Sequence, residues 1–457
     1  MRLITVKFRT PCTYDEVVVR SIALFAAVAI ATSACASSTS SATPPGATVA
    51  ASATSSPAAS RPEGLAERPI AKAGVARRWY TTADGLFRDD ARVSIMFPNV
   101  DAAPGRPRAR LRSTGRSVDL TLSGAGQWVG TLPLDGAPVG EQTVEFVVRL
   151  RDGSDVVIDT ATFRLSAPEY VVWTLDFEGD AAGDAEMANT AAIADALGVP
   201  MTLMWNPRVW VTSQVSAARA DAMLSWTKGR LAKGDEVALH LHMWTDFVRA
   251  AGLVPRTSPN WGGRSDGYDV PLTAYDEAET RTLVEHSLRL MADRGLPKPT
   301  SFRGGGLFAN AANLRAVAAL GFTADCSATP AGPFGALQLP WTLGPDAQPY
   351  YPARDDANRA GDLALLEAPT IGGNTYGHSA SSIAAVAQAD LRMIAAEGQP
   401  AAQRRTLTVV SHPSTIDATE RTAIEALFRA FEPYRYDRDA GPLRFVTLAQ
   451  LAKAYAR

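Results

Sequence analysis

Residues Glu169–Asp176 read GluTyrValValTrpThrLeuAsp, and this apolar run marks the point where the pattern of the chain changes. From here to the end, runs rich in β-branched and aromatic residues alternate with Ala- and Leu-rich stretches of helical periodicity. Such alternation is typical of a parallel sheet covered by helices. Seven candidate strands predict an α/β fold, an irregular (β/α) barrel of about seven parallel strands; they span 169–177, 200–205, 235–242, 299–303, 322–327, 363–369 and 405–412. Helical patterns lie between most of them, at 184–197, 216–233, 275–294 and 310–320.

The stretch before this region has a different texture. Residues 77–167 contain short runs, such as ValAspLeuThrLeu at 118–122, that alternate with period two and are separated by Gly, Asp and Pro. This spacing predicts a small all-β sandwich. It holds no cluster of His, Cys or carboxylates, so an accessory structural or binding role is expected, with Trp128 in its core. The catalytic barrel would then occupy residues 168–457.

The N-terminus resembles an export signal. Basic residues precede an apolar run at Ile22–Ala31, and small residues follow it. Cys35 fits a lipidation site, which predicts a lipoprotein signal over residues 1–36 and anchoring at the outer face of the cell membrane. Ala34–Ala36 also fits an ordinary cleavage site, which would give a secreted protein. Residues 37–76 are rich in Ser, Ala, Pro and Thr and predict a flexible tether.

Composition sets limits on partners and redox chemistry. The 457 residues are 46% hydrophobic, enough for a sizeable core, and the formal net charge of -2 gives no electrostatic case for nucleic acid. No later stretch of 18 apolar residues exists, so membrane contact is expected only through the N-terminal anchor. With Cys12 and Cys35 in the signal, Cys326 has no partner, and a buried structural thiol without a disulfide is expected.

Polar side chains gather at the predicted strand ends. In a parallel barrel the chemistry lies at the carboxyl ends of the strands. Three of the five histidines fall at such ends together with carboxylates and an arginine: Asp176, Glu178, His240, His242, Arg303 and His412. On a strand, residues two apart share a face, so the HisLeuHis pair would aim two nitrogens at one point. A transition metal needs such nitrogens and a third ligand from elsewhere. Each residue alone has an ordinary explanation; together they indicate a site.

Four motifs carry a family resemblance. The motifs are ThrLeuAspPheGlu (174–178), GlyAspGluValAlaLeuHis (234–240), PheArgGlyGlyGly (302–306) and ValSerHisPro (410–413). In order and spacing they resemble the motifs of the polysaccharide deacetylases, the group with nodulation-type deacetylase homology. The resemblance covers roughly residues 169–457. It implies a metal-dependent hydrolase that removes N-acetyl groups from an extracellular or cell-wall polysaccharide.

The resemblance also implies residue roles. Asp176 corresponds to the catalytic base, Glu178 and His240 to metal ligands, Arg303 to the residue that orients the base, and His412 to the acid. The family's second histidine ligand usually stands four residues after His240, where this chain has Trp244, which has no lone pair to donate. His242 is therefore expected to supply the second nitrogen. The third motif also lacks the family's Pro.

The chemistry follows from that ligand set. Two histidines and a carboxylate leave a metal position open for water, and Zn²⁺ is the expected ion, although Co²⁺ and Ni²⁺ suit the same ligands. Binding to the metal can lower the pKa of that water from about 15.7 to about 7. Substrate contacts are expected from Trp205, Trp244, Gly304 and Gly305, with Trp210 and Trp261 as further aromatic candidates. For each of these tryptophans, packing in the core or at an interface is an equally good interpretation.

Two other functions remain open at this level. The same fold and metal could hydrolyse a different amide or an ester, because a fold does not fix a substrate. Alternatively, the protein could be a non-catalytic polysaccharide-binding lipoprotein whose barrel has lost its metal. The displaced second histidine is the feature that keeps this alternative in view.

Overall fold

The computed structural model describes residues 71–97, 106–124, 126–394 and 398–457. The predicted signal, Cys35 and the predicted tether up to residue 70 lie outside the described residues. Among the described residues, no helix is long and apolar enough to cross a membrane. Cys326 is buried and is not in a disulfide, as predicted.

The N-terminal region contains two sheets that share one core. Their order is β1-β3-β7-β6 and β2-β9-β8-β4-β5, and their apolar faces meet in a cluster that includes Val93 and Leu132 from one sheet and Phe146 and Phe163 from the other. Trp128 is 7% exposed in this core, as predicted. The strands are β1 (Ala71–Val75), β2 (Trp79–Thr81), β3 (Asp90–Met96), β4 (Arg108–Leu111), β5 (Ser117–Asp119), β6 (Thr121–Gly124), β7 (Gln127–Pro133), β8 (Gly140–Arg149) and β9 (Asp155–Ser166).

The first strand corrects one boundary. β1 lies inside the range 37–76 that the sequence assigned to the tether. Its sequence, AlaLysAlaGlyVal, has a single β-branched residue, so it carries little strand signal of its own. Antiparallel pairing with β3 makes it a strand.

The second region is the predicted parallel sheet with helices. Seven strands lie side by side in the order β17-β14-β13-β12-β11-β10-β18, and every neighbouring pair is parallel. They are β10 (Glu169–Asp176), β11 (Met201–Trp205), β12 (Glu236–Leu241), β13 (Ser301–Gly304), β14 (Ala324–Asp325), β17 (Leu366–Glu367) and β18 (Arg405–Ser411). A hairpin of β15 (Pro333–Phe334) and β16 (Leu337–Gln338) stands outside this sheet, and β19 (Leu443–Phe445) pairs with the start of β10.

One segment joins the two ends of this sheet. β17 pairs with β14, and the chain that follows it turns to run beside β18. There the N–H of Gly372 donates to Thr408 O at 3.0 Å, and the N–H of Thr375 donates to Val410 O at 2.9 Å. The sheet therefore curls into the irregular barrel that the strand count predicted.

The helices of the described residues begin at recognisable caps. Asp276 and Glu279 form a capping box at the start of α4, and the Asp417 side chain accepts the N–H groups that open α7. Gly198, in the left-handed conformation, ends α1. The helices are α1 (Asp184–Leu197), α2 (Ala217–Leu231), α3 (Thr245–Ala250), α4 (Glu277–Asp293), α5 (Ala311–Ala319), α6 (Ile383–Ile394), α7 (Ala418–Ala430) and α8 (Leu448–Ala454).

The N-terminal sheets pack against the amino-terminal end of the barrel strands. Arg444 on β19 places Nη2 3.1 Å from Asp89 Oδ2. Tyr170, the second residue of β10, donates its hydroxyl to Asp84. Asp439 accepts the backbone N–H of Arg78 at 2.9 Å. These contacts leave the carboxyl ends of the strands to other parts of the chain.

Candidate metal and active site

The carboxyl ends of the barrel strands bring the predicted site residues together. Asp176 ends β10 and Glu178 follows it, His240 lies on β12 with His242 just beyond, Arg303 lies on β13, and His412 follows β18. All but Arg303 line one cavity of about 440 Å³. Six residues from four strand ends therefore meet as the sequence predicted.

Backbone carbonyls fix the orientation of both paired histidines. His240 Nδ1 lies 3.1 Å from Arg303 O, and His242 Nδ1 lies 3.0 Å from Tyr268 O. A carbonyl oxygen can only accept, so each Nδ1 carries a proton, and in the neutral ring each Nε2 then has a lone pair. The Nε2 of His240 is buried and has no hydrogen-bond partner among the residues that the structure describes. A buried acceptor without a partner is what an absent ligand would explain.

Glu178 completes a donor set for a metal ion. Its Oε2 lies 2.5 Å from His242 Nε2 and 3.6 Å from His240 Nε2. One ligand atom from each of the three residues lies within 4.8 Å of the others. Two imidazole nitrogens and one carboxylate oxygen are a donor set of catalytic zinc sites. These residues therefore fit a divalent transition metal.

A second grouping suits a metal less well. Asp176, Glu178 and His412 also lie within 4.8 Å of one another. However, the guanidinium of Arg303 is 2.7 Å from Asp176 Oδ1 and already neutralises that carboxylate. A cation there would have to compete with the arginine.

The ionisation of Glu178 and that of the neighbouring histidines depend on one another. Burial raises the pKa of Glu178, but His242, His240 and His412 outweigh it and hold that pKa well below its usual range. Burial lowers the pKa of His242, and the carboxylate of Glu178 more than reverses this, so the pKa of His242 is raised. The anionic carboxylate and the imidazoles therefore stabilise one another when no other cation is near.

Arg303 holds one oxygen of Asp176. The arginine is fully buried, and its Nη1 donates to Asp176 Oδ1 at 2.7 Å and to Thr174 Oγ1 at 2.8 Å. Its other groups donate to Thr370 Oγ1 at 3.1 Å and Cys326 O at 3.1 Å. Asp176 Oδ2 is 3.9 Å from His240 Nε2, so the carboxylate is fixed at one oxygen and faces the metal ligands with the other.

His412 contacts the carboxylate of Glu178 at the oxygen that does not face His240 and His242. Its Nε2 lies 3.2 Å from this Glu178 Oε1. Burial lowers the pKa of His412, but the hydrogen bond and charge of Glu178, together with the charges of Asp176 and Glu420, outweigh burial and raise it. His412 is thus placed across the cavity from His240 and His242.

The predicted substrate contacts need correction. Trp205 and Trp244 are 0% and 3% exposed, and neither they nor Trp210 and Trp261 line the cavity. Trp205, Trp244 and Trp261 are packed in the hydrophobic core of the barrel region, and Trp210 packs against that core. Trp244 instead donates its Nε1–H to Glu178 O at 2.9 Å. Its indole therefore supports the backbone of Glu178.

The two predicted glycines are buried as well. Gly304 and Gly305 do not line the cavity. A Cβ on Gly305 would lie 2.8 Å from ring atoms of His242, and one on Gly304 would lie 2.5 Å from Phe308 O. Gly305 lets the chain pass close to the His242 ring and Gly304 lets it pass close to Phe308, and the neighbouring Gly306 lines the cavity.

Several cavity residues carry no signal in the sequence. The wall includes Arg264, Tyr268, Leu307, Phe334, Asn374 and Tyr376, which all lie outside the helices and barrel strands. Tyr268 matters most, because its hydroxyl donates to Glu178 Oε2 at 3.1 Å and its ring stacks on His242. Motif spacing could not reveal it.

Comparison with known proteins found solved structures that are similar to this chain. No family model and no curated protein matches this chain. A protein from Mycobacterium smegmatis described as a polysaccharide deacetylase is 15% identical, with 63% of this chain and 89% of that chain covered and a TM-score of 0.40. A family 4 carbohydrate esterase from Streptomyces lividans, in complex with acetate, is 14% identical, with 57% and 87% covered and a TM-score of 0.30.

A family 4 acetyl xylan esterase from Clostridium thermocellum, in complex with a cobalt ion, is also similar. It is 12% identical, with 62% of this chain and 89% of that chain covered and a TM-score of 0.32. By their descriptions, one of these three proteins is a polysaccharide deacetylase and two are family 4 esterases. At such low identities and TM-scores, the function of this chain has to follow from its own site.

Proposed function

We propose that this protein is a metal-dependent hydrolase that removes N-acetyl groups from a polysaccharide. One observation carries the proposal: Glu178, His240 and His242 form a buried donor set, and a fixed carboxylate and a histidine flank it in the same cavity. A site that needed only to bind sugar would have no use for a buried nitrogen lone pair without a partner. The four deacetylase-like motifs place the same residues in these roles.

The residues divide the chemistry among them. A divalent ion such as Zn²⁺, held by Glu178, His240 and His242, would supply Lewis acidity and lower the pKa of a water in the site. Asp176 Oδ2 accepts a proton from the attacking water, while Arg303 holds the carboxylate in its orientation. Because Arg303 binds only Oδ1, the second oxygen stays available for that proton.

His412 is the acid of the second half of the reaction. It lies across Glu178 from the histidine pair, so a substrate held between them presents its leaving nitrogen to His412. Its Nε2 donates a proton to that nitrogen as the carbon–nitrogen bond breaks. The amine then leaves neutral, and acetate remains on the side of Asp176.

Export of the protein is part of the proposal. A basic and apolar N-terminus followed by Cys35 supports a lipid-anchored or secreted enzyme, which would meet its polysaccharide outside the cell. Labelling of the expressed protein with a radioactive fatty acid, lost in Cys35→Ala, would test the anchor.

The function is tested by release of acetate and by its dependence on metal. Purified protein should release acetate from a panel of N-acetylated polymers, and a chelator should abolish that release because the donor set is then empty. Adding Zn²⁺ back should restore it. His286→Ala is a matched control, since it removes a histidine that does not line the cavity.

Two results would point elsewhere. Folded, metal-loaded protein that releases no acetate from any amide but hydrolyses acetyl esters would assign the same site to ester substrates. Protein that holds no metal and binds polymer without turnover would show a binding function instead.

A further inference from the structure

We propose that Tyr268 is the positioning residue of this site, which fixes the plane of His242 and the carboxylate of Glu178 so that both can hold one metal ion. The inference rests on the proposed function, in which Glu178 and His242 are ligands. Tyr268 belongs to the long connection between α3 and α4, in which neither motif spacing nor strand position indicates a functional residue.

Three separate contacts join Tyr268 to the two ligands. Its backbone oxygen accepts the Nδ1–H of His242 at 3.0 Å. Its ring stacks on the imidazole of His242, with centroids 4.0 Å apart and planes 2° from parallel. Its hydroxyl donates to Glu178 Oε2 at 3.1 Å, the oxygen that faces both histidines. One residue thus orients a nitrogen ligand and an oxygen ligand together.

His242 needs this support more than His240 does. His240 pairs with Arg303 across β12 and β13, and its ring hydrogen-bonds to the backbone oxygen of that same partner. The sheet itself therefore orients His240. His242 lies beyond Leu241, the last paired residue of β12. Rotation of an imidazole about its second side-chain torsion is soft, so a ring outside the ladder needs contacts from elsewhere.

The loop is locked to the chain that follows His242. Gly267 has a φ of +87°, and a Cβ there would lie 2.4 Å from Met243 O and 2.8 Å from Thr245 N. The N–H of Thr245 donates to Asp266 O at 2.8 Å. The two segments thus touch backbone to backbone, which only glycine permits at this position. Tyr268 follows directly and is carried onto the His242 ring.

Metal ligands generally depend on such outer partners. A ligating histidine donates its second N–H to an oxygen, and loss of an outer partner typically weakens metal binding by about 10- to 100-fold. Here one residue supplies the carbonyl for His242 and the hydroxyl for Glu178. The displaced histidine of the HisLeuHis pair therefore works as a ligand because this loop provides its support.

The test compares metal affinity in the full chain. Tyr268→Phe keeps the stacked ring and the carbonyl and removes only the hydroxyl, so the Kd for Zn²⁺, measured by competition with a chelator, should rise about 10-fold. Tyr268→Leu also removes the aromatic face and should raise the Kd further, towards about 100-fold. The visible absorption of bound Co²⁺ should change in both variants, because it reports the geometry of the ligands.

Tyr275→Phe is the matched control. It removes another buried hydroxyl, one that accepts the N–H of Arg256 in the same loop and touches no ligand. Its Kd for Zn²⁺ and its Co²⁺ spectrum should equal those of the parent, even if its thermal stability falls. A purely structural role for Tyr268 would give the same result, with lower stability and an unchanged Kd.

The outcomes separate this inference from the proposed function. If the parent binds Zn²⁺ and releases acetate but both Tyr268 variants keep the parent's Kd, the inference alone is overturned. If the parent binds no metal, the proposed function is overturned and the inference with it. Thermal unfolding of each metal-free variant shows whether a change in Kd comes from the site or from loss of the fold.

Discussion

Asp176 and Glu178 stand two residues apart, yet their surroundings give them different tasks. Asp176 is held at one oxygen by the fully buried Arg303, and its second oxygen is turned towards His240. Glu178 faces imidazoles with both oxygens. A carboxylate oriented through one oxygen can accept a proton at the other, and one placed among imidazole nitrogens is suited to share a cation with them.

This difference can be measured by substitution. Asp176→Asn preserves shape and removes the proton acceptor, so kcat should fall roughly 10²-fold or more while the metal stays bound. Glu178→Ala should instead leave little metal after dialysis, as elemental analysis would show. Metal loss in Asp176→Asn with retention in Glu178→Ala would reverse the two assignments.

At the scale of single residues, the sequence predicted which polar side chains meet at the strand ends, but not which residues surround them. The six site residues stand at fixed offsets from apolar strands, and parallel strands bring such positions to one edge. Whether a tryptophan lines a cavity depends on what covers it. Trp205 and Trp244 are buried by chain distant in sequence, and Tyr268 arrives from a loop with no periodic pattern, so neither fact could be predicted from local sequence.

Among the elements, long apolar strands were predicted best. The structure gives β10 and β18 within a residue of the ends predicted from their patterns. The strands predicted at 322–327 and 363–369 shorten to two paired residues each, β14 and β17. Those segments are apolar because they are buried, and burial alone does not supply a pairing partner. The hairpin of β15 and β16 depends on tertiary contacts and was not predicted.

The start of β10 contains a buried acid that tunes stability. Glu169 is 1% exposed, and neither of its carboxylate oxygens has a hydrogen-bond partner among the described residues. Burial raises the pKa of Glu169 to about 8, and Arg405 offsets this only in part. In the unfolded chain a glutamate titrates near pH 4.3. The folded state therefore binds more protons between these two values.

Because the folded state holds the extra proton, stability should fall as pH rises from about 4.3 to about 8, by up to about 1.4 kcal/mol for each pH unit. Glu169→Gln removes this contribution. Urea unfolding should show the variant close to the parent at pH 5 and clearly more stable than the parent at pH 8. A difference that stays constant across that range would contradict the assignment. Glu141→Gln, on the exposed side of β8, is the control.

For the whole molecule, the β-sandwich and the site lie at opposite ends of the barrel strands. The contacts between the two regions involve Tyr170 at the start of β10 and Arg444 on β19, which pairs with that start. The cavity lies where β10 ends. Among the described residues, the sandwich contacts the barrel at the amino-terminal end of its strands and adds no residue to the cavity.

Arg444 tests this separation. Its guanidinium contacts Asp89 and lies over the rings of Phe87 and Tyr436, at 4.2 and 3.4 Å from their centroids. Arg444→Met should lower the free energy of unfolding by about 2 kcal/mol through loss of charged hydrogen bonds. Acetate release at a temperature where the variant stays folded should not change. Lower kcat in fully folded Arg444→Met would show that the two ends communicate.

A matched substitution keeps that test specific. Arg438 is close in sequence, but its side chain is 64% exposed and pairs loosely with Glu432 at 3.8 Å. Arg438→Met should therefore change the unfolding free energy by well under about 1 kcal/mol.

The buried guanidinium at position 303 binds oxygens on β10, after β14 and after β17 while belonging to β13 itself. In the proposed mechanism it orients Asp176, and its hydrogen bonds also link neighbouring strands of the barrel. If selection for turnover were relaxed, substitution of Arg303 would still lower stability, because it would leave a buried carboxylate uncompensated. His242 and His412 do not link several strands in this way. A lineage drifting away from catalysis would therefore shed its histidines first and keep this arginine as a remnant of the chemistry.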